Sequence, residues 1–267
     1  MEAAFILLLV VIILTLIFDF INGFHDTANA IATVVATKVM SPRTAVIFGA
    51  TLNFLGALIG TEVAATVGKG LVDQEVVTLQ IILCALIGAI TWNLFTWYKG
   101  LPTSSSHALI GSLLGATFFG LLTEGSISWD NVIDKVLKPM IASPVIGLLV
   151  SYGVMVSLIW AVHKISIHNI NRIFGKLQIF SSGVMALSHG HNDAQKSMGI
   201  IALALVTYYP AKEFSVPLWV ILSCAIAMGL GTLMGGWRII RTLGVKMIKL
   251  QPINGFAAET TAAGVIM

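Results

Sequence analysis

The stretch Asn22-Gly23-Phe24-His25-Asp26-Thr27-Ala28-Asn29-Ala30 decides the fold, because it lies in the middle of an apolar run covering residues 3–37. A carboxylate at the centre of a bilayer costs at least about 2.5–3.5 kcal/mol on insertion scales, so it is kept there only with a partner or a function. A second polar stretch, His189-Gly190-His191-Asn192-Asp193-Ala194-Gln195-Lys196-Ser197, interrupts the run 177–207 in the same way. An offset of 167 residues lays Gly23 on Gly190 and Asp26 on Asp193. A second overlay, Ala65-Thr66-Val67-Gly68 on Arg241-Thr242-Leu243-Gly244, follows at an offset of 176. Two overlays in the same order and at similar spacing read as an internal duplication.

The rest of the composition agrees with a membrane setting. Of 267 residues, 57% are hydrophobic and 10% charged, against about 25% charged in an average soluble domain. Mean hydropathy is +0.94. Fifteen Lys/Arg against 12 Asp/Glu leave a net charge of +3, too little for a polyanion-binding face, so no nucleic-acid partner is expected. Cys84 and Cys224 sit in apolar runs without a CxxC or a histidine neighbour, and read as small packing residues. Met1-Glu2-Ala3 offers no positive n-region, so the first apolar run reads as a membrane segment and not as a cleaved signal.

A hydrocarbon core of about 30 Å needs roughly 20 helical residues. Ordinary spans are expected near 44–61, 76–98, 139–162 and 216–235, with longer polar-centred ones at 3–37 and 177–207, and a segment 102–122 that opens on Pro102. Basic residues assign the loops. The segments 163–176 and 236–252 carry Lys and Arg without acids, which makes them cytoplasmic; 62–75, 123–138 and 208–215 then lie outside, as does the N-terminus. The two polar stretches consequently run in opposite senses. The expected fold is an all-α, polytopic membrane protein of inverted-topology repeats, with broken helices meeting near the midplane. Residues 1–138 form the first repeat, 139–176 a connecting span and linker, and 177–267 a second repeat. Thr66 precedes Pro102 by 36 residues, whereas the same interval from Thr242 runs past residue 267, so the second repeat is expected to be incomplete at its C-terminus.

Chemistry follows from residue type. Gly23 and Gly190 are expected to break their helices, so that new half-helices near Asp26 and Asp193 expose unpaired N–H groups and a positive dipole end. Asp26 and Asp193, with Asn22, Asn29 and Asn192, offer the hard oxygen ligands that suit Na⁺, or a carboxylate able to carry H⁺; paired structural carboxylates are the plainer alternative. Leu101-Pro102-Thr103-Ser104-Ser105-Ser106-His107 reads as a helix start. Capping accounts for one or two of the four hydroxyls. The others, with Thr27, suit a tetrahedral oxyanion held by hydrogen bonds. Lys196 either neutralises an anion or pairs with Asp193, Gln195 either donates to substrate or joins helices, and Glu259 is a further candidate cation ligand. The histidines His25, His107, His189 and His191 form no compact ligand set with cysteine. No role is assigned to Asp19.

At these motifs the sequence resembles the inorganic phosphate transporter (PiT) family, bacterial type. The matching pieces are Gly23 to Asn29, Leu101 to His107, His189 to Asp193, and Asn254-Gly255-Phe256-Ala257-Ala258-Glu259. The resemblance implies cation-coupled symport of inorganic phosphate, two inverted repeats, and re-entrant helical hairpins that begin at the Pro-Ser motif. It implies that Asp26 and Asp193 are the essential acidic pair, that Ser104, Ser105 and Ser106 contact phosphate, and that Glu259 is the acid of the second repeat. Where eukaryotic members carry a Glu, this chain has Asn53, which alters the charge balance. The expectation is therefore a plasma-membrane symporter with no cofactor beyond co-transported Na⁺ or H⁺, free to form a homo-oligomer in the bilayer. Sulfate or arsenate on the same scaffold is the nearest alternative. An intramembrane serine hydrolase is a distant one, since adjacent Ser106 and His107 diverge by about 100° on a helix and no GxSxG or HExxH is present.

Overall fold

A computed structural model describes residues 2–70, 77–121, 127–209, 211, 213–243 and 250–266. In chain order the helices are α1 (Glu2–Ala36), α2 (Pro42–Ala57), α3 (Glu62–Gly70), α4 (Leu79–Lys99), α5 (Ser105–Leu121), α6 (Trp129–Val132), α7 (Lys138–Val162), α8 (Ile167–Tyr208), α9 (Leu218–Met234), α10 (Trp237–Arg241) and α11 (Pro252–Ile266), with a π-helical turn, Ile133–Leu137, joining α6 to α7. No β-strand occurs among the described residues. Parts of the expected outer loops 62–75, 123–138 and 208–215, and Gly244 of the second overlay, lie outside the described residues.

Local chemistry sets the helix ends. Ser41 accepts the N–H of Thr44 at 3.2 Å and is followed by Pro42, a combination that starts α2. Thr78 caps α4 through the N–H of Ile81 at 3.3 Å, and Gly100, at φ 67°, ends it in the left-handed conformation. Glu2–Ala36, Leu79–Lys99 and the continuous stretch Trp129–Val162 are long and apolar enough to cross a membrane. The pair Pro42–Ala57 and Glu62–Gly68 is bent by 74° and together makes a broken span or a re-entrant element.

Two expectations need correcting. Neither α1 nor α8 breaks at its glycine: α1 is helical through Gly23 and Asp26, and α8 through Gly190 and Asp193. The 42-residue α8 also absorbs the end of the expected linker, beginning at Ile167 and not near 177. The chain breaks instead at Leu58–Thr61, inside the predicted span 44–61, where Gly60 adopts φ 74°.

Gly23 and Gly190 serve contact and not flexibility. A Cβ on Gly23 would stand 2.4 Å from the carbonyl oxygen of Met228 on α9, and one on Gly190 2.1 Å from that of Asn53 on α2. Their partners answer in kind, since Gly231 lies against Phe20 and Gly56 against Leu187, backbone on backbone. Small residues let membrane helices approach this closely, which gains dispersion contacts that lipid cannot match. The result is two tight couples, α1 with α9 and α2 with α8. Between them lies a core of Ala57, Ala64, Ala194, Met198, Ile201 and Met228, all fully buried. The stretch Trp129–Val162 stays outside this packing, with none of its most apolar window buried.

Candidate functional site

Asp26 on α1 and Asp193 on α8 face one another. Together with His189, one turn before Asp193, they present ligand atoms that all lie within 4.8 Å of one another. His189 Nε2 stands 3.2 Å from Asp193 Oδ2, and Asn22 Nδ2 donates to the same oxygen at 3.5 Å. Asp26 Oδ1 accepts from His25 Nδ1 at 2.8 Å, and His25 Nε2 lies 3.0 Å from Thr96 Oγ1 on α4. Asp26 Oδ2 accepts the backbone N–H of Ser105, the first residue of α5, at 3.1 Å. An acid from one end of the chain thus caps the helix that begins at the Pro-Ser motif.

The hydroxyl row divides its labour. Thr103 Oγ1 donates to Thr96 Oγ1 at 3.1 Å, which anchors the extended residues before α5 to α4. Ser104 Oγ accepts the N–H of His107 at 3.3 Å in the usual capping manner. Ser105 is fully buried, and its hydroxyl has no hydrogen-bond partner among the described residues. Ser106 Oγ meets the ammonium of Lys196, which also contacts Asp193 Oδ1. A cavity of about 730 Å³ is lined by Asp26, Pro102, Thr103, Ser104, Ser106, His189, Asn192, Asp193 and Lys196, with Lys135 from the π-helical turn. Two carboxylates, two ammonium groups and a row of hydroxyls therefore share one chamber. Such a chamber offers an anion its donors and a cation its oxygens at the same time.

Not every predicted residue is here. Thr27 is buried in a different set of bonds, where Asn53 Nδ2 donates to it at 2.8 Å and Thr232 Oγ1 lies 2.9 Å away. Asn53 also reaches Thr232 at 3.0 Å and His189 Nδ1 at 3.2 Å, so it orients the imidazole beside Asp193. Gln195 faces away from the chamber. Its Oε1 accepts the N–H of Val63 at 2.7 Å and its Nε2 donates to the carbonyl of Ile59 at 3.2 Å, which satisfies the free groups on both sides of the break between α2 and α3. Asn192 lines the chamber but donates to Ser188 O at 3.0 Å. The Asn29 side chain lies outside the described residues. Glu259 forms a cluster of its own: it accepts from Ser181 Oγ at 2.5 Å, from Gln178 Nε2 at 3.3 Å, and from Thr33 Oγ1. Thr33 lies two turns beyond Asp26 on α1, about 10 Å along the axis.

Sequence reasoning missed Lys135, whose position in a connecting segment gave no hint that it borders the chamber. It also passed over Asp19. That carboxylate is fully buried, with Ser197 and Cys224 beside it. The signal was present, since Asp19 precedes Asn22 and Asp26 by three and seven residues, on one helical face.

These features define a class: an all-helical, multi-pass membrane protein with a polar chamber between packed helices, its two carboxylates buried. The Phosphate transporter family profile matches residues 22–169 and 163–267, which together cover most of the sequence. The chain belongs to the phosphate transporter family. It is 46% identical over 273 residues to a probable low-affinity inorganic phosphate transporter of Mycobacterium bovis, with all of this chain and 64% of that one aligned. It is 44% identical to the protein of the same description in Bacillus subtilis, covering 80% of its length. The chain thus spans just under two thirds of the mycobacterial relatives. A solved structure, the sodium-dependent phosphate transporter, superposes with a TM-score of 0.85 at 24% identity, over 97% of this chain and 83% of that one. These relatives are transporters, not enzymes. His107 lines a neighbouring groove with Gly88, Trp92, Thr103 and Ser104, which Ser106 does not border.

Proposed function

We propose that this chain carries the substrate site of a symporter that moves inorganic phosphate together with Na⁺ or H⁺ across the plasma membrane. The observation that carries the reading is the convergence of Asp26, His189 and Asp193 within 4.8 Å beside the start of α5. A phosphate dianion cannot enter hydrocarbon alone, because its desolvation cost is prohibitive. A cation held between Asp26 and Asp193, and the Ser104 and Ser106 hydroxyls that border the chamber with the N–H groups at the start of α5, give a nearly neutral cluster around the anion, with Ser105 packed behind them. Asn22 and Asn192 border the cation, Thr103 braces the hydroxyl row, and Glu259 forms a second acidic station on the same path.

In this reading residues 1–138 and 177–267 are oppositely threaded repeats joined by 139–176, and the N-terminus lies outside. Alternating access is a rocking of one helix couple against the other. Thr27 and Gln195 support the site through packing and capping, without touching phosphate. The test is uptake of radiolabelled phosphate into liposomes containing the full-length protein, with Na⁺ and pH gradients imposed separately. The reading expects accumulation driven by one of the two gradients. Uptake indifferent to both overturns it.

A further inference from the structure

The two carboxylates of the chamber are not equivalently partnered. Asp193 is paired with Lys196, one turn later on α8, and the ammonium also reaches Ser106 Oγ at the head of α5. Asp26 has no lysine or arginine partner among the described residues; its oxygens meet His25 and the N–H of Ser105. The sequence carries the same asymmetry. Three residues after Asp26 stands Asn29, and three residues after Asp193, at the matching position of the similar motif, stands Lys196.

We propose that Lys196 takes the place of one co-transported cation, so that phosphate moves with one inorganic cation fewer than a neutral residue at 196 would require. The inference rests on the symport reading above. An ammonium against Asp193 Oδ1 repels a second cation from that oxygen, and its charge is tethered and cannot be carried across with the substrate. Its position suits this role, because it lies between the acid and a hydroxyl of the oxyanion row, with a side chain 17% exposed to the chamber. Three N–H donors on a flexible stem let it hold Asp193 and a phosphate oxygen together once the anion arrives. His189, 3.2 Å from the other Asp193 oxygen, remains the variable partner, and Asp26 the acid left for a mobile ion.

The experiment compares the wild type, Lys196→Asn and Lys196→Arg, each full-length and reconstituted in liposomes. Radiolabelled phosphate is counted against the cation and the charge moved with it. Lys196→Asn is expected to move one more cation per phosphate and to show a steeper dependence on cation concentration, whereas Lys196→Arg keeps the wild-type ratio whatever its rate. An unchanged ratio in Lys196→Asn, or an equal rise in Lys196→Arg, overturns the proposal. If Lys196→Asn binds but does not transport, the slope of phosphate affinity against cation concentration in detergent is decisive: it must rise by about one in logarithmic terms, and an unchanged slope overturns the proposal. A wild type inert to phosphate in every gradient sinks the symport reading itself, a result distinct from any of these.

Discussion

Asp26 Oδ2 accepts the N–H of Ser105 at 3.1 Å, which ties a carboxylate of α1 to the first turn of α5 across a separation of 79 residues. An acid and an oxyanion motif that share a hydrogen bond cannot act independently. In the proposed symport, a phosphate arriving at the start of α5 would meet the Asp26 charge unless a cation screened it, so this contact would give a physical reason for coupling cation to anion.

Asp26→Asn separates charge from capping. Asparagine caps a helix start as well as aspartate does, so α5 keeps its end and the protein folds. The cation loses its charged ligand, and phosphate uptake is expected to fall at least ~10-fold, with membrane expression and melting temperature close to wild type. Radiolabelled uptake alongside thermal unfolding in detergent reads both quantities.

Gly190→Ala tests the α2–α8 seam. The new methyl would lie 2.1 Å from a backbone oxygen, which has no rotamer in which to retreat. Overpacking of this kind costs roughly 1–3 kcal/mol, and more where backbone must move. Gly153→Ala on α7, with nothing within 4 Å of the added carbon, is the control. It is expected to leave stability unchanged or raise it, by up to about 1 kcal/mol of helix propensity. Equal melting temperatures for the two variants would refute the close-contact account.

Gln195→Ala removes the acceptor that caps α3 and the donor to Ile59. A stability loss of about 1 kcal/mol is expected, with the phosphate concentration for half-maximal uptake little changed. A large rise in that concentration with intact stability would return Gln195 to the substrate.

Glu259→Ala leaves Thr33, Gln178 and Ser181 without their common acceptor. Unmet polar groups cost about 1–3 kcal/mol each when buried, so the variant should unfold at a clearly lower temperature. Glu259→Gln, which keeps a carbonyl oxygen for part of the cluster, should recover some of that loss. Denaturation in detergent compares the two.

The sequence announced its spans because an apolar run of 20 residues has few other uses, and it announced Asp26 and Asp193 because a charge in such a run demands a purpose. The location of the break was harder to see. Gly23 and Gly190 look like breakers when only the local chain is considered, yet the helices pass straight through them and use the missing side chain to admit a neighbour. The real break, Leu58-Ile59-Gly60-Thr61, is hidden by its apolar half; Gly60 before Thr61 and Glu62 was the trace it left. Gln195 resembled a substrate donor because its true partners lie more than 130 residues earlier in the chain. Lys135 reaches the chamber only through the route of α6 and the π-helical turn, which no local pattern encodes.

The glycine seams carry a mechanical corollary. Where main chain rests on main chain, as at Gly23 with Gly231, Gly56 with Leu187 and Gly190 with Asn53, a slip of one residue would drive a methyl into a carbonyl. Such joints resist gliding the way a dovetail does, yet they tolerate a swing about the point of touch. In the proposed alternating-access cycle, a doorway to the interior is therefore expected at the softer borders lined by side chains, with each jointed pair travelling as a single beam.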